Sequence, residues 1–414
     1  MREEARMGKS LWTCLQLGYE KAFSTIVDAN ITTLISAIIL WKFGTGPVKG
    51  FGVTLAVGIF TTLFAALVLS RALLELAVKY GVIRNALMRS LIPNDLKFKF
   101  LDHAKKSFIV SWFVVLLGVV AIIARGDKTL SIDFTGGDIV TIAFNPDQKI
   151  PIGEITKLSG FTSDTGIGEI QAAYQTDLAS KAERLVLQVE SEKGQRVFDM
   201  LSHKFPKSEL KLVAQQSVGA TVSGEITRDA FIAVALSLLA TLVYIAVRFE
   251  FSYGVGALIA TAHDVVMTIG MYVVFGLLGI GSGQFSAPMV AAILMVMGYT
   301  INDKIVIFDR IREELVLKPA MSLRDVINLS INRTLSRTLL TSATTFGVSV
   351  ALFVFATGII VDFSLVFMLG VAVGTFSSIF IASPIFYWYN HGSRARVDKE
   401  RDDNSAKPKE WEVQ

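Results

Sequence analysis

Long uncharged and apolar runs recur along the chain and predict membrane-spanning helices. Residues 107–124, 230–247 and 363–390 contain no Asp, Glu, Lys or Arg, and each run is long enough to cross a bilayer as a helix. The uncharged run 265–302 is about twice the needed length, and its glycine-rich segment 279–283 predicts a turn between two spans. The remaining predicted spans are the apolar segments 24–41, 50–70 and 338–356. These eight spans are predicted to be helices because a chain in hydrocarbon must satisfy its backbone groups internally.

The polar segment 126–228 interrupts the spans, and its pattern predicts a small α+β domain. Four stretches alternate in polarity as strands do, and two show helical spacing. The predicted strands are 138–144, 169–174, 183–189 and 210–215, and the predicted helices are 152–159 and 195–203. The resulting order β-α-β-β-α-β is that of a split βαβ, ferredoxin-like domain. The segment contains no Gly-rich phosphate loop, nucleophile elbow or paired-carboxylate motif, which favours a binding or gating role over chemistry.

The chain also contains an internal repeat at a spacing of 312 residues. The matched pairs include polar and turn residues: Ser24 and Ser336, Thr32 and Thr344, Thr33 and Thr345, Phe51 and Phe363, and Gly58 and Gly370. A constant offset through such positions indicates a duplication rather than a shared apolar composition. The Arg-Glu-Glu sequence at 312–314 follows a span, whereas its counterpart at 2–4 stands at the start of the chain. We therefore expect the N-terminal copy to lack its earlier spans. Met1 is then an internal methionine of a longer fused protein, the start of a separately encoded piece, or a misassigned start.

Composition and charge distribution support the membrane assignment and orient the chain. Hydrophobic residues make up 52% of the 414 residues and charged residues 18%, against about 25% charged in an average soluble protein. Lys and Arg are concentrated at 97–106, 310–337 and 394–401, which places these segments and both termini in the cytoplasm by the positive-inside rule. Cys14 is the only cysteine, so neither a disulfide framework nor a cysteine metal site is expected. We expect no metal and no cofactor.

The predicted fold class is a polytopic α-helical membrane protein of about eight spans with an α+β, ferredoxin-like extracytoplasmic domain. Its predicted parts are two spans in residues 1–75, a cytoplasmic linker at 76–106, one span at 107–125, the extracytoplasmic domain at 126–228, five spans in 229–390 and a cytoplasmic tail at 391–414.

Ionisable residues inside predicted spans are the main functional candidates, because each costs about 2.5–3.5 kcal/mol at mid-helix. Asp303 follows seventeen uncharged residues of its span. Such a carboxylate can load and release a proton, although a static ion pair with a nearby Lys304 is the alternative. Arg337 opens the next span at a similar depth, so its pairing with Asp303 is a hypothesis. Ordinary anchoring at a cytoplasmic helix end is the alternative for Arg337.

Two further aspartates lie within spans. Asp264 directly follows His263, and the two side chains are able to relay protons. Asp264 is equally able to bond a neighbouring helix, and the sequence leaves both interpretations open. Asp28 is the weakest candidate because it lies within one turn of the predicted interface. Thr32 and Thr33 are predicted to serve close helix packing rather than ion binding.

Several motifs resemble a known family. Ile-Asp-Phe-Thr-Gly-Gly at 132–137 resembles the hallmark of the SecF subunit of the bacterial protein-export apparatus. Further SecF-like sequences follow in the expected order at 217–219, 262–265, 298–303 and 308–314, and residues 1–75 resemble the last two spans of SecD. The chain thus resembles the C-terminal part of a fused SecD–SecF protein. The residues carried over as motif positions are Asp133, Gly136, Gly137 and Asn302.

This resemblance implies a function. The family belongs to the resistance-nodulation-division (RND) superfamily and works with the SecYEG channel and the SecA motor. It is thought to use the proton-motive force to pull preproteins outward, with the residues that match Asp303 and Arg337 tied to proton passage. A partner aspartate in SecD has its place upstream of Met1.

We therefore expect an accessory subunit of the Sec translocase in the cell inner membrane, and not an enzyme. Its expected partners are SecYEG, SecA, the remaining SecD portion, unfolded preprotein and membrane lipid, with no nucleic acid. One alternative is an RND-type exporter of small or lipidic molecules, which the small outer domain disfavours. The other is a non-transporting scaffold of the translocase.

Overall fold

The structure is a computed structural model that describes residues 5, 8–44, 46–83, 97–159, 170–176, 183–248, 251–356 and 359–390. Parts of several sequence-based predictions lie outside these residues. They are the middle of the cytoplasmic linker at 84–96, the start of the second predicted strand at 169, the tail at 391–414, and the Arg-Glu-Glu sequence at 2–4.

Eight helices among the described residues are long and apolar enough to cross a membrane, as predicted. In chain order the elements of the membrane part are α1 (Leu11–Phe43), α2 (Gly46–Phe64) continued by α3 (Ser70–Lys79), α4 (Phe100–Arg125), α8 (Ala220–Arg248), α9 (Phe251–Leu277), α10 (Ala287–Leu317), α11 (Leu323–Phe355) and α12 (Ile359–Ser377). The numbers between α4 and α8 belong to the helices of the outer domain, which are given below. Most of these helices extend beyond the predicted spans. A search for uncharged runs stops at the first charge, whereas α1 continues through Glu20 and Lys21 and α10 continues through Lys304.

The outer domain lies between α4 and α8 and has the predicted ferredoxin-like order. It consists of a short helix α5 (Ile132–Thr135), β1 (Gly137–Ala143), α6 (Ile152–Ser159), β2 (Gln171–Thr176), β3 (Glu183–Val189), α7 (Gly194–Lys204) and β4 (Lys211–Val218). The strands form one sheet in the order β2-β3-β1-β4, and all neighbouring pairs are antiparallel. β4 extends past its predicted end at 215 because its register with β1 continues to the pair Gly137–Val218.

The core of this domain forms where β1 and β3 face α7. Val140, Leu187 and Val197 are among its fully buried side chains. A buried carboxylate closes one end of the core: Asp138 accepts hydrogen bonds from the Gly194 amide, at 2.8 Å, and from Ser217 Oγ, at 2.5 Å. An acidic side chain at this position stabilises the start of α7, where backbone N–H groups lack helical partners.

The two copies of the repeat have matching helices. α1 and α11 each contain 33 residues, and both their first and last residues are 312 positions apart. Each begins after a serine, Ser10 or Ser322, whose side chain accepts from the backbone N–H three residues further on. α2 and α12 each contain 19 residues and end in a π-helical turn, at Ala65–Leu69 and Ser378–Ala382 respectively. The shared bounds, caps and π turns support the duplication inferred from the sequence.

The copies also touch at equivalent residues. Phe51 of α2 and Phe363 of α12 are partners in the 312-residue repeat, and their ring centroids lie 5.4 Å apart in an edge-on arrangement. A residue contacts its own counterpart only close to a symmetry axis. The two copies are therefore related by an approximate two-fold axis that passes near this contact.

Small residues allow the helices to approach closely. A Cβ atom placed on Gly118 of α4 would lie 2.5 Å from the Gly270 Cα atom of α9, so these two backbones are in direct contact. Gly298 of α10 lies against Thr33 of α1, whose hydroxyl donates to the Gly298 carbonyl at 3.4 Å. The predicted packing role of Thr33 agrees with this geometry. Among the eight spans, α10 is the most completely buried.

We predict that Gly137→Ala destabilises the outer domain by about 1–3 kcal/mol. The φ angle of Gly137 is +136°, and a Cβ atom there would lie 2.5 Å from the Val189 carbonyl oxygen of β3. Hydrogen exchange at the amides of β1 and β3, measured in the full chain, should become faster. The matched control is Gly153→Ala, since Gly153 lies in α6 with open space around it. Equal exchange in both variants would contradict the prediction.

Candidate functional site

Asp303 is buried in the helix bundle, with the hydroxyl group of Ser342 as its direct partner. It lies on α10 and retains 6% of its accessible surface. Its Oδ2 atom accepts a hydrogen bond from Ser342 Oγ of α11 at 3.3 Å, and Ser342 Oγ lies 2.7 Å from Thr375 Oγ1 of α12. Three helices thus meet at one carboxylate whose direct contact is a neutral donor.

Arg337 lies close to Asp303 but does not bond to it. Its charge is within electrostatic reach of Asp303 and of Asp309, yet no ion pair joins Arg337 to Asp303 among the described residues. The side chain of Arg337 lies on the exposed face of α11. Ser342 lies on the buried face of the same helix and donates a hydrogen bond to the Asp303 carboxylate. The hypothesised direct pair is therefore not formed in this conformation.

Asp264 forms a second buried carboxylate site, with a different character. Its Oδ2 atom accepts from Lys304 Nζ and from Ser377 Oγ, each at 2.7 Å, and His263 Nδ1 lies 3.3 Å from its Oδ1 atom. Asp264 and Lys304 are both almost completely buried. The ion pair joins α9 to α10, and the serine adds α12. The geometry supports the helix-bonding interpretation of Asp264.

Lys304 differs from the sequence-based alternative. The alternative paired it with Asp303, whereas it is fully buried and paired with Asp264. The reason is helix geometry. Consecutive residues of an α-helix point about 100° apart, so when Asp303 faces α11, Lys304 faces α9 and α12.

The two carboxylates are consequently suited to different tasks. The Lys304 ammonium lies 2.7 Å from the Asp264 carboxylate and fixes it in a buried ion pair. Asp303 has a hydroxyl contact and only more distant cations. A buried carboxyl group with neutral partners can exist with or without its proton at a smaller cost than one fixed in an ion pair. Asp303 is therefore the better candidate for changing its protonation state.

Two other sequence candidates have incomplete hydrogen bonding. Asn302 Oδ1 and His263 Nε2 are buried, with no hydrogen-bond partner among the described residues. The His263 ring lies edge-on to Trp112 of α4, with centroids 5.8 Å apart. Asn302 directly precedes Asp303 on α10, so its side chain is placed on a different face of the helix.

The motif at 132–137 connects the outer domain to α10. The Asp133 carboxylate accepts from the Ala287 amide at 2.8 Å. Ser286, the residue that precedes α10, has no side-chain hydrogen bond to the helix, so Asp133 caps α10 from a distant part of the chain. The segment before the motif pairs with Phe285 through two backbone hydrogen bonds, of 2.6 and 3.0 Å, and the Phe134 ring stacks on the Phe285 ring.

The two glycines of the motif allow the chain to turn from α5 into β1. Gly136 and Gly137 have φ angles of +72° and +136°, a region that residues with a Cβ atom rarely adopt. β1 therefore starts directly after the residues that hold α10. The motif is a short connection between the sheet of the outer domain and the outer end of the most buried span.

Asp28 has a larger role in the structure than its weak sequence signal suggested. Its carboxylate accepts from Arg248 Nε at 2.9 Å and from the Tyr244 hydroxyl at 2.8 Å. Arg248 also bonds Ser24. These contacts join α1 of the N-terminal pair to α8. The signal available in the sequence was Arg248, a charge directly after an uncharged span.

Comparison with known proteins gives the family. A family profile described as "Protein export membrane protein SecD/SecF, C-terminal" matches residues 198–392. A SecF translocase subunit from Rhodothermus marinus is 34% identical over 71% of this chain and 94% of its own length. A SecDF translocase subunit from Thermus thermophilus is 35% identical over 96% of this chain and 52% of its own length.

Solved structures agree. The crystal structure of Thermus thermophilus SecDF, described as a translocon-associated membrane protein, superimposes with a TM-score of 0.81 at 33% identity, covering 94% of this chain and 51% of that one. A second SecDF structure, in a form called super-membrane-facing, gives a TM-score of 0.70 at 32% identity over 96% of this chain and 52% of that one.

These matches define a class of multi-pass membrane proteins with an α+β outer domain. The chain belongs to the SecD/SecF family of protein-export membrane proteins, which confirms the resemblance found in its motifs. It spans about half the length of the curated SecDF relatives it matches.

We predict that Asp133→Ala loosens the outer end of α10 by about 1 kcal/mol, the usual cost of a lost helix cap. Hydrogen exchange at the first-turn amides of α10, Ala287 included, should become faster in the full chain. The matched control is Asp147→Ala, which removes a carboxylate from the exposed turn Pro146–Gln148. The prediction is wrong if the two substitutions change hydrogen exchange in the first turn of α10 to the same extent.

Proposed function

We propose that the chain acts in an accessory component of the Sec protein translocase that uses the proton-motive force to promote preprotein translocation across the cytoplasmic membrane. The relatives named as translocase subunits support this assignment. On this proposal the chain is not an enzyme: it moves protons and changes conformation without covalent chemistry. Both termini lie in the cytoplasm, and the outer domain faces the side to which the preprotein emerges.

One observation carries the proposal: α10 joins a buried titratable group to the outer domain. Asp303 lies sixteen residues from Ala287, the residue that Asp133 caps. At 1.5 Å per residue, the two points are about 24 Å apart along one helix. A change in the position of α10 when Asp303 gains or loses a proton is thereby transmitted to the start of β1. A rigid helix held at both ends is a direct mechanical connection.

We assign distinct roles to the site residues. Asp303 carries the proton, and the hydroxyls of Ser342 and Thr375 are the adjacent groups through which it can be exchanged. Arg337 acts as the nearby cation that approaches Asp303 in another step of the cycle. Asp264 is the third residue of the proposed proton pathway, and it holds the charge of Lys304, which follows Asp303 on α10.

The available energy is sufficient for such a cycle. One charge that crosses a potential of 100 mV releases about 2.3 kcal/mol. This amount changes the ratio between two conformations by roughly fifty-fold, because each 1.4 kcal/mol corresponds to a factor of ten. A shift of this size is enough to bias a two-state outer domain.

The proposed partners follow from the family. They are the SecYEG channel, the SecA motor, the remaining SecD portion and the unfolded preprotein, together with membrane lipid. The SecD-like helices α1 to α3 are fastened to the SecF-like bundle by the bond of Asp28 to Arg248 and by the contact of Thr33 with Gly298. The outer domain binds or guides the emerging polypeptide.

We predict that Asp303→Asn removes the response of preprotein export to the proton-motive force. The amide keeps the size of the side chain and its ability to accept from Ser342, but it does not exchange a proton in this way. In membrane vesicles that contain the chain with its native partners, export under an imposed gradient should fall to the level seen after an ionophore collapses it. ATP-driven export should remain.

The matched control is Glu313→Gln, which removes a carboxylate from the exposed cytoplasmic end of the same helix. This variant should keep the full response to the gradient. A full response in Asp303→Asn would count against proton use and in favour of the scaffold alternative, which requires the protein's presence but not its titration.

A further inference from the structure

Lys304 directly follows Asp303, the proposed proton carrier, in the sequence, but its side chain bonds to a different carboxylate. Its ammonium is held by Asp264 of α9, at 2.7 Å, and that carboxylate is held in turn by Ser377 of α12. All three side chains are buried. Removing a lysine ammonium from water is costly unless it is paired. The ion pair joins α9 to α10, and the sequence places its ammonium one residue from Asp303.

The arrangement fixes the rotation of α10. Lys304 is directed to α9 and α12 only while Asp303, about 100° away around the helix, is directed to α11. A rotation of α10 that moved Asp303 away from Ser342 would also break the buried ion pair. The ion pair therefore maintains the orientation in which Asp303 meets the hydroxyl groups.

α12 contributes a hydroxyl group near each of the two buried carboxylates, Asp303 and Asp264. Thr375 lies beside Ser342, the partner of Asp303, whereas Ser377 bonds Asp264. These two residues of α12 lie immediately before the π-helical turn Ser378–Ala382. A π turn inserts a residue into the helix and changes the direction of the side chains around it, and such turns are frequent at functional sites.

We propose that Lys304 is a positioning residue for Asp303: the ammonium, clamped by Asp264 and Ser377, orients the neighbouring carboxylate and sets the electrostatic field in which it exchanges its proton. This proposal rests on the proposed role of Asp303 as a proton carrier. It adds a residue, Lys304, that the proposed function does not require. Among the described residues, the charges of Lys304 and Arg337 reach Asp303, and Lys304 is the one of these two that is fixed by a buried ion pair.

The other charged groups around the site are accounted for. α9 contributes Asp264 and His263, which lie behind Lys304. α11 contributes Arg337, which Asp309 of α10 also influences. α12 contributes hydroxyls, and α1 contributes Asp28, which is paired with Arg248. Removal of the Lys304 charge is therefore the most direct single change to the field at Asp303.

The test measures the titration of Asp303 without measuring export. Dicyclohexylcarbodiimide reacts with protonated carboxyl groups in apolar surroundings, and peptide mass spectrometry reports the labelled residue. The full chain in native membranes is labelled over a range of pH values. In Lys304→Met, labelling of Asp303 should persist to a pH about one unit or more higher, because the carboxylate has lost a positive neighbour that favours its ionised form.

Two companion variants make the result decisive. Asp264→Asn combined with Lys304→Met leaves no unpaired buried charge, so it should assemble even if the single variant does not, and it should show a shift in the same direction. Lys318→Met removes a lysine charge at the cytoplasmic end of the same helix, about 22 Å from Asp303, and should leave the labelling profile unchanged.

The possible outcomes separate this inference from the proposed function. Identical Asp303 profiles in the wild type and in the Lys304 variants would overturn the positioning role, as would a wild-type Asp303 that is not labelled at any pH. A shifted profile together with export that ignores the proton-motive force would support the inference and refute the proposed function. A shifted profile with altered pH dependence of export would support both.

Discussion

The burial of charge on α10 is the constraint on which the membrane part of this protein depends. Two consecutive ionisable residues, Asp303 and Lys304, lie in the most enclosed helix of the bundle. An unpaired ammonium there would be strongly destabilising, so α9 and α12 must supply Asp264 and Ser377 at the correct height. That requirement sets the rotation of α10 and the approach of its neighbours. Asp303, which faces α11, is left with the Ser342 hydroxyl as its direct contact.

The same helix is constrained at its outer end by a different interaction. Asp133 caps α10, and β1 of the outer sheet begins at Gly137, the last residue of the same motif. The backbone pairing around Phe285 and the stacking of Phe134 on Phe285 make this junction short and rigid. A longer connection would separate the start of α10 from the sheet. The motif therefore joins the helix that carries Asp303 directly to the first strand of the outer domain.

Much of this architecture was accessible from sequence patterns, because spans and strands are local. Uncharged runs gave the eight spans, and alternation gave the ferredoxin-like order with errors of a few residues at strand ends. Asp303 was identified because a carboxylate in an uncharged run is costly. The pairing of side chains was less accessible. Whether Lys304 meets Asp303 or Asp264 depends on helix rotation, and Asp133 caps a helix 154 positions away in the chain. Neither relation leaves a periodic signal.

The contact between Phe51 and Phe363 has a consequence for substitutions in the two copies. Because each ring touches its own counterpart, the contact lies near the approximate two-fold axis. A substitution at either phenylalanine therefore changes the packing of both copies at once, because each ring is the other's contact. A change at a residue that does not touch its own counterpart alters the surroundings of one copy only.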